Sequence, residues 1–286
     1  DASWVMGKGR DAIKGCDMMR VQDLGRVDAP LVLFGGPYSN LQATQALLTE
    51  AAKRRAVAIC TGDTVAYCAR PAETVAALRQ AGCAVVAGNC EIQLAAGADD
   101  CGCGFEDGSV CDRLSAGWYS FARNRLTEQD RHWMGTLPDL LTLTHVGVRY
   151  GVVHGGVQDV ARFLWSTSPE ADFEDEWDAL EAVVGPVDCV VAGHSGIPFQ
   201  RTLRRGAWIN AGVVGMPPHD GTPQTAYVSV DVGQVHFHRL DYDVRGAVAD
   251  MEEAGLTQGY DKSLISGYWP SEDVLPPDLR LSFANG

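Results

Sequence analysis

Val191-Ala-Gly-His-Ser-Gly-Ile-Pro-Phe199 carries an apolar run into a histidine set between two glycines. A short apolar run bounded by glycine reads as a buried strand that stops in a tight turn. A histidine delivered at that stop stands where a metal ligand is usually presented. The same grammar recurs upstream in Ala58-Ile-Cys-Thr-Gly-Asp63, Ala84-Val-Val-Ala-Gly-Asn-Cys90 and Tyr150-Gly-Val-Val-His-Gly-Gly156. The strand ends therefore carry Asp63, Asn89, His154 and His194. If they converge, they form an oxygen and nitrogen nest for a divalent transition metal, since imidazole favours Zn, Fe, Ni or Cu and carboxylate or amide oxygen favours Mn or Mg. Singly, an Asp after Gly is more often a turn residue and a buried His a satisfied core residue. The shared pattern is what makes them candidates.

Working outward, Leu31–Phe34 is a continuous apolar run closed by Gly35-Gly36-Pro37, and Asn40–Arg54 follows as a helix with Asn40 as its N-cap. Strand Ala56–Cys60, loop Thr61–Pro71, helix Ala72–Ala81 and strand Ala84–Ala87 repeat the unit. Such alternation predicts parallel pairing with helices on the faces. Ala95–Asp112 has no period and reads as a loop, and Leu114–Gly135 as a helical region. Strands are expected at Leu141–His145, Tyr150–His154 and Cys189–Ala192, and helices at Val157–Trp165 and Phe173–Val184. Ala226–Asp231 and Gln234–Leu240 alternate and suggest an antiparallel second sheet. The expected fold is α/β, a two-sheet β-sandwich flanked by helices. Residues 1–29, with a weak amphipathic pattern over Ala12–Leu24, read as an N-terminal extension, 30–245 as the main domain, and 246–286 as a tail with one short helix.

Composition narrows the function classes. A chain of 286 residues with 46% hydrophobic and 21% charged residues is ordinary globular material, able to hide roughly 75% of its unfolded surface. No apolar run approaches the roughly 18 residues of a membrane span, so no membrane partner is expected. The net charge of −14, with 37 acidic against 23 basic residues, opposes binding to a nucleic acid polymer, which draws on clustered Lys and Arg. A small phosphorylated substrate is still compatible, because a bound metal reverses the local field. Nine scattered cysteines in a chain of this size do not look like a disulfide framework. With no basic-then-apolar signal pattern over Asp1–Asp28, a reducing, cytoplasmic location is expected. Oligomeric state is not legible.

The order and spacing of these motifs from Leu31 to about Asp231 resemble the calcineurin-like metallophosphoesterase family, in its bacterial phosphodiesterase and diadenosine tetraphosphatase-like branch. Thr61-Gly-Asp-Thr-Val-Ala-Tyr-Cys-Ala-Arg-Pro-Ala-Glu73 is similar to its Gly-Asp loop, Leu126-Thr-Glu to Leu137-Pro138 to its helical insert, and Asn210-Ala-Gly-Val-Val-Gly-Met-Pro217 to its late Asn-Pro-Gly-Ser-Val-Gly turn. The resemblance implies a four-layer α/β/β/α fold in which two metal ions activate a water against a phosphoester. The departures are unevenly placed. Gly36 and Tyr38 stand where the family's first motif has Asp and His, and Gly196 replaces the second His of its last motif. These are the ligands the family uses, with the bridging Asp, for one of its metals. The other set, Asp63, Asn89, His154 and His194, is complete. Cys90 stands where the family has a His that contacts the phosphate and helps the leaving group depart.

The resemblance thus implies a metal-dependent phosphoesterase acting on a phosphodiester or nucleotide through one retained ion, Fe, Mn or Zn. Asp63 and Cys90 are its candidate catalytic residues, and Tyr38, Asn40 and Cys90 its candidate substrate contacts. Tyr38 offers a phenolate ligand or a substrate hydrogen bond, and a packing role stands beside these. Two other readings stand open: a catalytically reduced protein that binds metal or a phosphorylated ligand, and a redox or soft-metal site built from Cys68, Cys90, Cys101, Cys103 and Cys111, against which packing is the plainer role for a buried thiol.

Overall fold

The computed structural model describes residues 19–106 and 108–281. In chain order the elements are β1 (Val21–Arg26), β2 (Leu31–Phe34), α1 (Leu41–Arg54), β3 (Val57–Cys60), α2 (Pro71–Gln80), β4 (Ala84–Val85), α3 (Asn89–Ala96), α4 (Val110–Arg125), α5 (Glu128–Thr136), β5 (Leu140–His145), β6 (Val148–Val152), α6 (Glu170–Val184), β7 (Cys189–Ala192), β8 (Phe199–Thr202), β9 (Ala207–Asn210), β10 (Thr225–Asp231), β11 (Gln234–Leu240), α7 (Val244–Glu253) and α8 (Tyr260–Ser266). Among the described residues the strands form two sheets, in the orders β1-β5-β6-β7-β9-β8 and β11-β10-β2-β3-β4.

The period-two geometry of a strand explains why the central runs are apolar throughout. Leu31 and Leu33 of β2 meet Val191 and Ile209 of the opposite sheet in the inner core, while Val32 and Phe34 pack outward with Leu47 of α1 and Leu78 of α2. In β7, Cys189 and Val191 face inward and Val190 and Ala192 face Trp177 and Leu180 of α6. Two packed sheets between α1/α2 and α6 are the expected α/β/β/α layers. No helix among the described residues is long and apolar enough to cross a membrane.

Several local expectations are corrected. The β10–β11 hairpin is not a separate sheet: β10 pairs antiparallel with β2 and extends the sheet of β2, β3 and β4. The other sheet recruits β1, from the segment read as an extension, which lies parallel to β5. The part of the Ala12–Leu24 pattern before residue 19 lies outside the described residues. Val157–Trp165 forms turns rather than a helix, and α3 (Asn89–Ala96) fills the stretch after the expected strand Ala84–Ala87 and takes the first two residues of the expected loop from Ala95. The tail carries two helices rather than one, with a further 3-10 turn at Pro277–Leu279.

Candidate metal centre

Asp63 follows β3, Asn89 starts the helix after β4, His154 follows β6 and His194 follows β7. Parallel pairing of β3 with β4 and of β6 with β7 puts all four at strand C-terminal ends. Asp63 (φ 56°) and His194 (φ 59°) sit in the left-handed region, uncommon for residues other than glycine and concentrated at functional sites. Gly62 makes the approach feasible: a Cβ there would lie 2.8 Å from both Gly88 N and His154 Nδ1, and its φ of +98° disfavours any side chain.

Hydrogen bonding fixes which atoms face the centre. His154 Nδ1 lies 2.5 Å from the carbonyl of Thr61, which only accepts, so this nitrogen carries a proton and Nε2 points inward. Around that Nε2 are Asn89 Oδ1 at 3.0 Å, His194 Nδ1 at 3.0 Å and Asp63 Oδ2 at 3.3 Å. Asn89 is turned this way because its Nδ2 donates to the Cys101 carbonyl at 2.9 Å and contacts Cys103 Sγ at 3.4 Å. Asp63, His154 and His194 are buried and bring their ligand atoms within 4.8 Å of one another. Four inward atoms that are acceptors in their ordinary forms thus converge with only a proton between them, a donor set that fits a cation.

The electrostatics agree. Burial opposes charge on every member, yet the Asp63 carboxylate beside it holds His154 above its ordinary value. Burial, then the neighbouring His154, pushes His194 down to about 3, so it is a neutral donor. An ion must displace the His154 proton. Metal affinity is therefore expected to climb about tenfold per pH unit up to the raised His154 value and to level off above it. Chelator competition across that range measures it, and a flat profile would count against His154 as a ligand.

Glu91 is the participant that motif reading left out. Fully buried, it accepts from Asp63 N (2.9 Å), Gly88 N (2.8 Å), Thr64 N (2.6 Å) and Thr64 Oγ1 (2.7 Å), tying the Asp63 loop to the start of α3. Its place two residues after Asn89, at the third position of a helix, was the available signal.

A cavity of about 70 Å³ lies against Asp63 and His194, and Cys90, Tyr38 and Cys103 line it. By the usual measure this is room for several waters or a compact group. Cys90 therefore faces the cavity, with burial, then Asp63, pushing its thiol well up. Burial, then Asp63, likewise pushes the Tyr38 phenol well up. Asn40 is corrected: its Oδ1 accepts from Ala43 N and its Nδ2 donates to the Gly215 carbonyl, so capping α1 takes up the carboxamide, and it is not a wall of the cavity. Cys68 turns its thiol to the Gly215 carbonyl, away from the cavity, and Cys101 and Cys103 are joined as a disulfide.

A side chain has no room at Gly36 and would be crowded at Gly196. A Cβ on Gly36 would lie 2.5 Å from both Tyr38 Cζ and Val213 Cγ1, and a Cβ on Gly196 would lie 3.2 Å from Trp269 Cζ2.

Residues 38–233 match the sequence profile of the calcineurin-like phosphoesterase superfamily domain. An uncharacterized protein of Methanocaldococcus jannaschii is 23% identical over 261 residues, covering 84% of this chain and 99% of its own length. Among solved structures, a metallophosphoesterase from Sphaerobacter thermophilus superposes with a TM-score of 0.64 at 21% identity, covering 84% of this chain and 100% of that one. A hypothetical protein from Pyrococcus horikoshii gives a TM-score of 0.69 at 17% identity, covering 84% and 98%. At these identities the structural likenesses speak to the fold.

Proposed function

The chain belongs to the calcineurin-like phosphoesterase superfamily, and on that premise we propose that it is a metal-dependent phosphoesterase working through one ion held by Asp63, Asn89, His154 and His194. The observation that carries this reading is the contrast between the two ligand sets. One converges as buried acceptors around a single point, while Gly36 and Gly196 of the other are crowded by the Tyr38 ring, Val213 and Trp269. Two imidazoles, a carboxylate and an amide suit Fe, Mn or Zn better than Ca or Mg.

When bound, such an ion supplies Lewis acidity toward a phosphoryl oxygen and lowers the pKa of water toward about 7. The chain's own residues do the rest. Asp63 supplies the negative charge, and Thr61 and Cys101 carbonyls orient His154 and Asn89. Cys90 borders the cavity as a neutral thiol, a weak hydrogen-bond donor that does not reproduce an imidazolium. With one ion and no such acid, part of the charge developing on the leaving oxygen goes uncompensated, so slow turnover is expected. That same feature favours the second reading, a protein that binds a phosphorylated ligand without cleaving it.

Metal analysis of the purified protein is expected to return one ion per chain. Two fully occupied ions at the roughly 3.5–4 Å of paired sites would overturn the single-ion reading. Ligand binding that depends on metal, with no turnover across a broad phosphoester panel, would favour the second.

A further inference from the structure

The walls of the cavity speak to the substrate. Among the described residues lining it there is no Lys or Arg, and Asp63 is the only carboxylate. Aromatic faces take the place of cations. Phe163 packs 4.3 Å from the His194 ring and lies parallel to Trp165, with an interplanar angle of 2°. Tyr67, which stacks on Tyr260 at 4.2 Å, also lines the cavity, and Trp269 lines it next to Gly196. The wall hydroxyl nearest His194 is already committed, since Ser195 Oγ donates to the Leu164 carbonyl and accepts from Leu164 N.

Beyond Phe105 and Phe163, which border both spaces, lies an outer recess of about 600 Å³. Among the described residues its lining holds one cation, Arg280, beside Glu106 and Asp273, and its guanidinium already donates to the Leu275 and Asp273 carbonyls. Among the described residues, neither lining offers an uncommitted cation to a polyanion.

Resting on the single-ion phosphoesterase reading, we propose that this site takes a singly charged phosphodiester bearing a flat, apolar ester group, and discriminates against nucleoside polyphosphates. One divalent ion held beside Asp63, with the Glu91 carboxylate accepting from the Asp63 N–H, leaves little net positive charge, so a phosphodiester monoanion brings less uncompensated charge than a polyphosphate. A polyphosphate would bring further negative charges into an aromatic-walled space with no partner, and an unpaired buried charge is among the most costly features a site can contain. A flat apolar group gains by packing against the aromatic lining that Phe163, Trp165, Tyr67 and Tyr260 supply.

The test is calorimetric titration of the manganese-loaded full chain, with manganese in excess. Three probes are used: phenyl methylphosphonate, ethyl methylphosphonate with the same charge and no ring, and adenosine diphosphate. The phenyl ester is expected to bind at least tenfold more tightly than the ethyl ester and than the diphosphate. Phe163→Leu, and independently Trp165→Leu, are expected to lower the phenyl-to-ethyl ratio severalfold with metal stoichiometry unchanged. Equal binding of the two esters, an unchanged ratio in both variants, or tighter binding of the diphosphate would overturn the inference while leaving the phosphoesterase reading standing. If none of the three binds to protein that holds its ion, that reading falls as well.

Discussion

Asp63→Asn is expected to yield a folded protein that retains almost no metal and shows no phosphoesterase turnover. Asp63 is the one carboxylate in the convergent set, with Oδ2 at 3.3 Å from His154 Nε2 and 3.9 Å from His194 Nδ1. Burial would raise its pKa, but the His154 imidazole outweighs it and holds the carboxyl at about 2. The backbone N–H of Cys90, in the first turn of α3, contacts Oδ1 at 3.4 Å, so the positive end of a helix dipole also faces the charge. Asparagine keeps the shape and one acceptor, removes the charge and turns the other acceptor into an NH2 donor. Metal affinity should fall at least about a hundredfold, equivalent to about 2.7 kcal/mol. Chelator competition and metal analysis measure the first effect and a phosphodiester assay the second, with circular dichroism as the folding control. Metal retained at wild-type affinity would remove Asp63 from the ligand set, and turnover unchanged in the variant would remove it from the mechanism.

Glu91→Ala is expected to cost about 3–5 kcal/mol of folding stability, the range for breaking a buried charged network by removing one partner. Three backbone N–H groups and the Thr64 hydroxyl would lose their acceptor together in a region closed to water. Burial, then the Asp63 carboxylate, raises the Glu91 pKa, so the residue costs electrostatic energy as well as supplying acceptors. Glu91→Gln, which keeps the shape but turns one acceptor into a donor aimed at backbone N–H groups, should fall between the wild type and the alanine variant. Urea denaturation of the metal-free proteins separates the three. An alanine variant within about 1 kcal/mol of wild type would refute the bracing role.

The strands that bear the candidate ligands were legible because burial on both faces writes them as unbroken apolar runs, as in Leu31–Phe34 and Cys189–Ala192. The β10–β11 hairpin was equally visible as alternation, but alternation does not say which sheet a hairpin joins; that depends on the pairing of Val228 with Leu33, nearly two hundred residues upstream. The helix at Asn89 was not legible because its N-cap, Gly88, has no side chain, and Glu91 rather than a Ser or Asp side chain supplies the cap. Val157–Trp165 carries helix-compatible apolar spacing but spends it on cavity and core contacts, with Leu164 hydrogen-bonded to Ser195 and Phe163 packed at a tilt against His194.

What the sequence determined by itself was the local chemistry: which residue stands at each strand end, and that the family's other ligands are absent at Gly36, Tyr38 and Gly196. Those statements depend on residue identity and short spacing, which the linear chain contains in full. Only the tertiary structure decided that Asn89 turns its oxygen inward, since the Cys101 carbonyl determines the orientation of the carboxamide. It also decided that Asn40 is a cap rather than a substrate contact, and that Trp269, from a segment read as a tail, stands over Gly196. The character of the cavity arises in the same way. Phe105, Phe163 and Trp269 come from three separate stretches with no common motif, and the lack of a cation among the described residues lining the cavity is a property of a surface that exists only when the chain is folded.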